Sequence, residues 1–424
     1  MKNTLSKDDY EPRGSLLVFA DEDVDGLSSA AIVGRRYSLE NSHFIYVNAR
    51  SLDKALAAEL EARQKDDLTQ FDIFIVDVGI NQANIEGIEK SIAAFVNIGA
   101  RVLYFDSHSN TYNGKNLLLH LTRANAYVFN GKIGVAAASI VQDFLGSDES
   151  KRLRLLGALS DREIHITKKY KNEKNGLRNL QAAVAWGAYQ DPSFLDKVTR
   201  RLIRHPNIDL EEDRDIIEYA IKANNHRDKL LKHVHRRGHV LQISETPRII
   251  SVTVLDRIDF GKARGTIAGR LAGEWGAAII LITLSVSSKN SYAVTIRNSY
   301  IHKLDLEVVG QLANAENSGG SKGAYRLTIP EGELITFLSK VQAWSRSVSP
   351  PWVSKMTPTY SKPAKHKSAK PKKKNSNGPK TVEKVKEQKE IKPEKHIKPR
   401  DFKEIEMGFD DEELDSLVDL SDLD

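Results

Sequence analysis

The residues of this chain that could do chemistry are aspartates that end apolar runs. Asp21, Asp23 and Asp25 fall in Asp21-Glu22-Asp23-Val24-Asp25-Gly26, directly after Leu16-Leu17-Val18-Phe19-Ala20. Carboxylates this close together repel one another unless protons or cations neutralise them, and hard divalent cations suit an all-oxygen shell. The same punctuation recurs downstream. The run Phe71 to Val76 stops at Asp77, and Arg101 to Phe105 stops at Asp106, followed by Ser107 and His108. A fourth apolar segment, Leu153 to Leu159, leads into Ser160 and Asp161. Solvated carboxylates need no such placement, so the four groups are expected to converge on one metal site. Gly26 is expected to let the chain turn sharply after the first group.

The elements that would position these groups follow from the same pattern. A short apolar run that stops at acidic residues and passes into a helical repeat reads as buried strand, turn and helix. Over residues 15–165 the alternation gives strands to Ala20, over 44–47, 71–78 and 102–105, and helices over 27–37, 53–64, 84–97 and 134–145, with a last helical run into Asp161. This predicts an α/β fold with a doubly wound, mostly parallel sheet, whose ligands gather at the C-terminal ends of the strands. Residues 1–14 are an N-terminal extension, and 166–240 read as a helical connector. Residues 241–348 form a second α/β domain with strands over 249–254, 278–284, 291–297 and 324–329, helices over 264–274, 305–312 and 331–344, and a Gly-rich loop over 317–323.

Composition bounds the function classes. Cysteine is absent from the 424 residues, which excludes disulfides, thiolate metal sites and cysteine nucleophiles. No apolar run is long enough to span a bilayer and the N-terminus lacks the apolar core of a secretion signal, so a soluble, intracellular, cytoplasmic or nucleoid-associated protein is expected. The net charge of +6 permits nucleic acid as a partner but hides an asymmetry. From Lys355 to Arg400 there are sixteen Lys and Arg against four Glu, and from Asp401 to Asp424 eleven Asp and Glu against one Lys. Such a composition cannot offset chain entropy by burial, so 349–424 is expected to be disordered, basic over 355–400 and acidic over 401–424.

The four acidic motifs in this order, Asp106-Ser107-His108 in third place, and Arg297-Asn298-Ser299 with Gly319-Gly320-Ser321 downstream resemble the DHH phosphoesterase superfamily, in particular its RecJ-like branch. The resemblance covers about residues 15–340. It implies two Mn²⁺ or Mg²⁺ ions between two domains and cleavage of phosphodiester or phosphoanhydride bonds. On that footing Asp23 would hold one ion, Asp25 the other, Asp77 would bridge both, Asp161 would complete the second ion's shell, and Asp21 matches the first position of motif one. Asp106 and His108 would serve catalysis, and Arg297, Gly319, Gly320 and Ser321 the substrate phosphate. Archaeal members are also similar to the replisome subunit that joins GINS and the MCM helicase. Two departures stand out: Ser107 replaces a His metal ligand, and Ser321 replaces a His of the Gly-Gly-His loop.

Other readings of these residues are weaker. An EF-hand loop starting at Asp21 would need a bidentate Glu where Ile32 stands. A receiver-like domain would not explain the second α/β unit, and a dinucleotide fold would need a Gly-x-Gly-x-x-Gly turn that is absent. His226, His233, His235 and His239 lie in or beside a charged helical segment with Arg227, Lys229, Lys232, Arg236 and Arg237, which reads either as a solvated face or as a basic edge that guides a strand. Trp275, Trp344 and Trp352 read as packing residues. The tail could capture nucleic acid through its basic block or present its acidic segment Phe409 to Leu420 to a partner. The expected function is metal-dependent hydrolysis of single-stranded nucleic acid in replication or repair. The alternative is a weakened replisome subunit that binds GINS and MCM and holds a strand; a small-nucleotide phosphoesterase is the third reading, against which the long basic tail speaks.

Overall fold

The computed structural model describes residues 5–348 apart from 109, 113–114, 133, 162, 164–173, 286–289, 300–303, 314, 316–317 and 322. The predicted tail, with Trp352 and the Phe409 to Leu420 segment, lies outside the described residues. Five strands, β1 (Ser15–Asp21), β2 (Ser42–Val47), β3 (Phe71–Val76), β4 (Arg101–Asp106) and β7 (Tyr127–Asn130), pair in parallel in the order β2-β1-β3-β4-β7. Between β4 and β7 lies a two-stranded hairpin, β5 (Thr111–Tyr112) and β6 (Lys115–Asn116). The central strands are almost wholly apolar because both faces are covered. Leu16, Val18, Phe74 and Phe105 enter one core, while Leu17, Phe19, Ile73, Ile75 and Tyr104 enter the other, as a period of two requires.

Helices α1 (Val24–Gly34), α2 (Leu52–Ala62), α3 (Ile85–Asn97), α4 (Leu118–Arg123), α5 (Ala137–Leu145) and α6 (Lys151–Ser160) divide between the faces. α1, α5 and α6 supply Leu27, Val141 and Leu153 to the first core; α2, α3 and α4 supply Leu56, Ile88 and Leu121 to the second. This is the expected doubly wound sheet. A strand at Tyr127–Asn130 is not legible in the sequence, because four residues at a sheet edge carry too short a pattern.

The second sheet has the order β12-β13-β11-β10-β9-β8, from β8 (His239–Glu245), β9 (Arg248–Val254), β10 (Ala278–Leu284), β11 (Ser291–Arg297), β12 (Ser318–Ser321) and β13 (Ala324–Pro330). Only β9 and β10 pair in parallel. β8 was also not foreseen as a strand. Residues 317–323, expected to be a Gly-rich loop, instead contain β12, with Gly319 opposite Arg326 and Gly320 opposite Tyr325. Ladder hydrogen bonds are made by the backbone, so side-chain patterning cannot reveal such a strand.

Helices α7 (Lys174–Gln190), α8 (Pro192–Arg204) and α9 (Arg214–Arg237) occupy the expected connector, and α10 (Arg264–Trp275), α11 (Leu306–Gln311) and α12 (Leu334–Ser347) accompany the second sheet. The three connecting helices are structural partners of the sheets rather than spacers. Leu180 of α7 and Leu195 and Leu202 of α8 lie in the core of the first sheet. α9 joins the two sheets: Ile216 and Ala220 belong to a core of the first sheet, and Leu230, Leu231 and Val234 to a core of the second sheet. Both sheets belong to one compact unit, Met1–Thr357. No described helix is long and apolar enough to cross a membrane.

Candidate metal centre

Parallel strands deliver their following loops to one edge, and there the aspartates meet. Asp21 ends β1. Asp23 caps α1, its Oδ1 accepting from the Gly26 N–H at 3.0 Å. Asp25 follows in the first turn and is fully buried; its two oxygens accept from the Ala137 and Ala138 N–H groups at 2.7 and 2.9 Å, at the start of α5. A helix N-terminus favours a carboxylate. Glu163, also buried, accepts there from the Ala136 N–H and the Ser139 hydroxyl. Two glycines make this approach possible. A Cβ on Gly26 would lie 2.4 Å from the Asp21 carbonyl oxygen, and one on Gly157 of α6 would lie 2.4 Å from Asp25 Oδ1. Gly26 therefore serves a close approach inside a helix, not the sharp turn expected of it.

Asp77 is the centre of the group. It follows β3 with a left-handed φ of 60°, a conformation aspartate tolerates better than most residues, and its N–H donates to the Phe105 carbonyl at 2.9 Å. A carboxylate oxygen of Asp77 lies within 4.8 Å of carboxylate oxygens of Asp21 and Asp23, in a second group of those of Asp25 and Asp161, and in a third of an Asp106 oxygen and a His108 ring nitrogen. Asp161 reaches the group from the C-terminal end of α6, the fourth apolar run being helical. Burial, and then the neighbouring Asp25, hold the Asp77 carboxyl well above its ordinary range, and burial and Asp161 do the same to Asp25. Asp21 is pushed up to about 7 by burial and Asp23. Asp161 opens onto solvent, but the surrounding protein displaces part of its water, and that loss, with Asp23, raises it to about 6.

The third motif is a hydrogen-bonded assembly. Asp106 Oδ1 takes a 2.7 Å bond from His108 Nδ1, and its Oδ2 accepts from the Tyr104 hydroxyl and the Asn110 amide, both at 2.9 Å. Burial alone would raise the Asp106 carboxyl, but the His108, Asn110 and Tyr104 bonds outweigh it and hold it below the usual range. The bond to Asp106 raises His108 to about 9, although half of its side chain is exposed. Ser107, expected to mark a lost ligand, is buried beside Gly131.

The opposite end of β3 shows how this sheet treats a carboxylate that is only structural. Asp72, fully buried, accepts from Arg101 Nε at 2.6 Å, Arg101 Nη2 at 2.9 Å, the Arg13 N–H at 2.9 Å and the Tyr37 hydroxyl at 2.5 Å. Asp77 Oδ1 is equally buried, and among the described residues it has no hydrogen-bond partner. Buried polar atoms are nearly always satisfied. Asp77 Oδ1 lies 4.0 Å from His108 Nδ1 and is otherwise ringed by carboxylates, a donor set that suits a divalent cation.

Facing the carboxylates, the second sheet presents cations. A Cβ on Gly265 of α10 would lie 2.7 Å from Arg297 Nη2 and 3.1 Å from Arg326 Nη2, so both guanidinium groups crowd the start of that helix. Arg326 reaches solvent, yet the protein around it lowers its pKa by desolvation, offset by the charge of Asp21 and reinforced by Arg50. Arg264 is lowered by burial and then by Arg326, with Arg50 adding to the effect. Arg50 follows β2, and its loop is pinned by Asn81 and Asn84, whose amides donate to the Ala49 carbonyl at 2.8 and 2.7 Å. Lys262 pairs with Glu22 of the β1–α1 turn. Arg326 thus stands within reach of the Asp21 charge, and Arg50, Arg264 and Arg297 gather around Arg326.

No family model and no curated protein matches the chain. Solved structures do. Manganese-bound RecJ from Thermus thermophilus superposes with a TM-score of 0.53 at 16% identity over 80% of this chain and 53% of that one. A manganese-bound exonuclease RecJ gives 0.51 at 16% over 81% and 92%. A DHH domain described as belonging to a family of ribosomal proteins gives 0.56 at 13% over 78% and 86%. The chain has the RecJ-like DHH fold. It spans about half the length of the Thermus RecJ, 53%.

Within this RecJ-like fold, the structure brings together Asp21, Asp23, Asp25, Asp77, Asp106, His108 and Asp161, as the spacing of the apolar runs suggested. Arg297 lies beside Arg326, and Gly319 is the residue paired with Arg326 in the ladder. The side chain of Ser321 lies outside the described residues. Arg50, Arg264, Arg326, Tyr104, Asn110 and Glu163 were missed. Arg50 had a usable signal, since it stands just past a strand end on the ligand edge; Arg326 alternates with the buried Tyr325 and Leu327 and so had to face the other way. The histidines of α9 are placed elsewhere. His226 stacks with Tyr189 and lies against Trp186, while His233 and His235 pair with Asp256 and Glu274.

Proposed function

We propose that this chain is a metal-dependent phosphodiesterase that hydrolyses single-stranded nucleic acid. The observation that carries the reading is the Asp77 oxygen without a hydrogen bond, ringed by carboxylates, with Arg326 in reach of Asp21 and Arg50, Arg264 and Arg297 gathered around Arg326. A carboxylate cluster alone would suit a structural cation, and an arginine cluster alone would suit any anion. Their juxtaposition suits a phosphate held against metal ions.

The donor set fits Mn²⁺ or Mg²⁺: Asp21, Asp23 and Asp77 would hold one ion, and Asp25, Asp77 and Asp161 the second. Divalent ions bound there would supply a hydroxide at neutral pH and neutralise charge on the phosphate. The chain's own residues do the rest. The arginines fix the phosphate oxygens and lower the cost of bringing a polyanion to acidic side chains. Asp106 orients His108 through Nδ1, which leaves Nε2 free to donate a proton toward the phosphate or the leaving oxygen. The α5 N-terminus and Gly157 hold Asp25 so that it cannot swing away when the cluster changes charge.

End-labelled single strands incubated with Mn²⁺ test the reading: wild type should shorten them, EDTA should stop it, and Asp77→Asn should be inactive while folded. One observation favours a second reading. Ser107 stands where the resemblance places a metal-ligating His, which supports a weakened subunit that holds single-stranded DNA in a replication assembly with GINS and MCM. Strand binding without hydrolysis at saturating Mn²⁺, together with capture of purified GINS, would establish that reading instead.

A further inference from the structure

We propose that the outer edge of β8 is a docking edge for an acidic, extended segment of a partner protein. The edges of the two sheets are treated differently. On β2, Arg200 of α8 donates to the Leu39 and Ser42 carbonyls at 2.8 and 2.9 Å, and Tyr46 bonds to Thr199, so a helix covers that edge. β8 is the last strand of its sheet, and His239, Val240, Leu241 and Gln242 are all exposed. Val240 is 58% and Leu241 55% exposed, unusual for large aliphatic residues in a strand. Side chains alternate across a strand, so the two lie on opposite faces and a single helix could not cover both. An added strand could, because its own side chains alternate in the same way while its backbone meets the outward N–H and C=O groups of β8.

The charge around this edge selects the occupant. Lys232, Arg236 and Arg237 at the end of α9 are exposed and form no ion pair among the described residues. The nearby acids Asp256 and Glu274 are engaged with His233 and His235. A second copy would bring its own Arg236 and Arg237 to the same edge, whereas an acidic strand would meet complementary charge. The irregularity between Gln242 and Ser244 limits the docking length to the four residues before it. This inference does not depend on hydrolysis in the cleft.

The test uses the full chain and a short synthetic peptide alternating glutamate with valine, followed by fluorescence anisotropy and amide hydrogen exchange. The peptide should bind saturably and slow exchange at residues 239–242. Val240→Asp with Leu241→Asp, and separately Arg236→Glu with Arg237→Glu, should each weaken it by about tenfold or more, the loss expected for uncovered aliphatic contact or reversed charge pairs. All four positions are exposed, so melting temperatures should stay the same. A lysine-valine peptide that binds equally well would overturn the proposal. So would unchanged affinity in either double variant, or a patch that takes up only a single-stranded oligonucleotide.

Discussion

Replacing Gly157 by alanine adds one methyl group at a crowded point of the metal centre. The new Cβ would lie 2.4 Å from Asp25 Oδ1 and 2.5 Å from the Ala138 Cβ, distances real atoms do not adopt. Neither neighbour can yield cheaply. Ala138 Cβ is fixed to the α5 backbone, and Asp25 is held by the Ala137 and Ala138 N–H groups. Overpacking of a core costs about 1–3 kcal/mol, and a weakened charge-assisted bond to Asp25 about 1.5–3 kcal/mol more. Alanine in a helix interior otherwise gains about 0.5–1 kcal/mol over glycine. The net expectation is a loss of about 2–5 kcal/mol, and with Asp25 displaced, loss of most of the stabilisation that Mn²⁺ gives the native state. Urea unfolding with and without Mn²⁺ measures both. Gly269→Ala and Gly273→Ala on α10 are the comparison: both glycines are exposed with nothing within 4 Å of the added Cβ, so each should stabilise by about 0.5–1 kcal/mol. If Gly157→Ala matched these two, or kept the full metal response, the geometry argued for Asp25 would be refuted.

Asp77→Asn keeps a residue that tolerates a left-handed φ but removes a charge, so without metal it should melt at or above the wild type at pH 8 and show no shift with Mn²⁺ in differential scanning fluorimetry. Metal-free protein should also lose stability as pH rises from about 4 to 7. Asp21 has a folded pKa of about 7, above its unfolded value, so the native state binds the extra protons and stability falls by up to about 1.4 kcal/mol per pH unit until Asp21 has ionised; saturating Mg²⁺ should flatten that slope in urea titrations at several pH values. Ser107→His should tighten Mn²⁺ by about 10-fold or more by calorimetry if an imidazole there can reach the ion, and no change would favour the strand-holding reading. Arg101→Ala leaves Asp72 buried without its main partner and should cost about 3–5 kcal/mol with strand binding unaffected, whereas Arg326→Ala should weaken strand binding with little effect on stability.

Much of this molecule was legible in the order of residues because a buried parallel strand has to be apolar on both faces and has to stop where the ligands begin. Apolar runs ending at Asp21, Asp77 and Asp106 gave the strands, their common direction and the edge on which the carboxylates meet. β7, β8 and β12 were illegible for different reasons: the first is too short, the second exposes its apolar residues, and the third is held by backbone pairing to β13.

By itself the sequence determined the periodicity and placement of charges, and with them the doubly wound sheet and the acidic half of the site. Only the tertiary structure decided which carboxylate is tied up in hydrogen bonds and which is left at ion-binding range. Asp72 and Asp77 lie at the two ends of one strand, and no pattern along the chain separates them; the first meets Arg101, Arg13 and Tyr37, while the second is ringed by carboxylates and His108 at ion-binding range. Arg50 and Arg326 are 276 residues apart in the chain, yet the charge of Arg50 lowers the pKa of Arg326 through space. Electrostatic energy depends on distance through space and on the water displaced, and both are properties of the packed fold rather than of the order of residues.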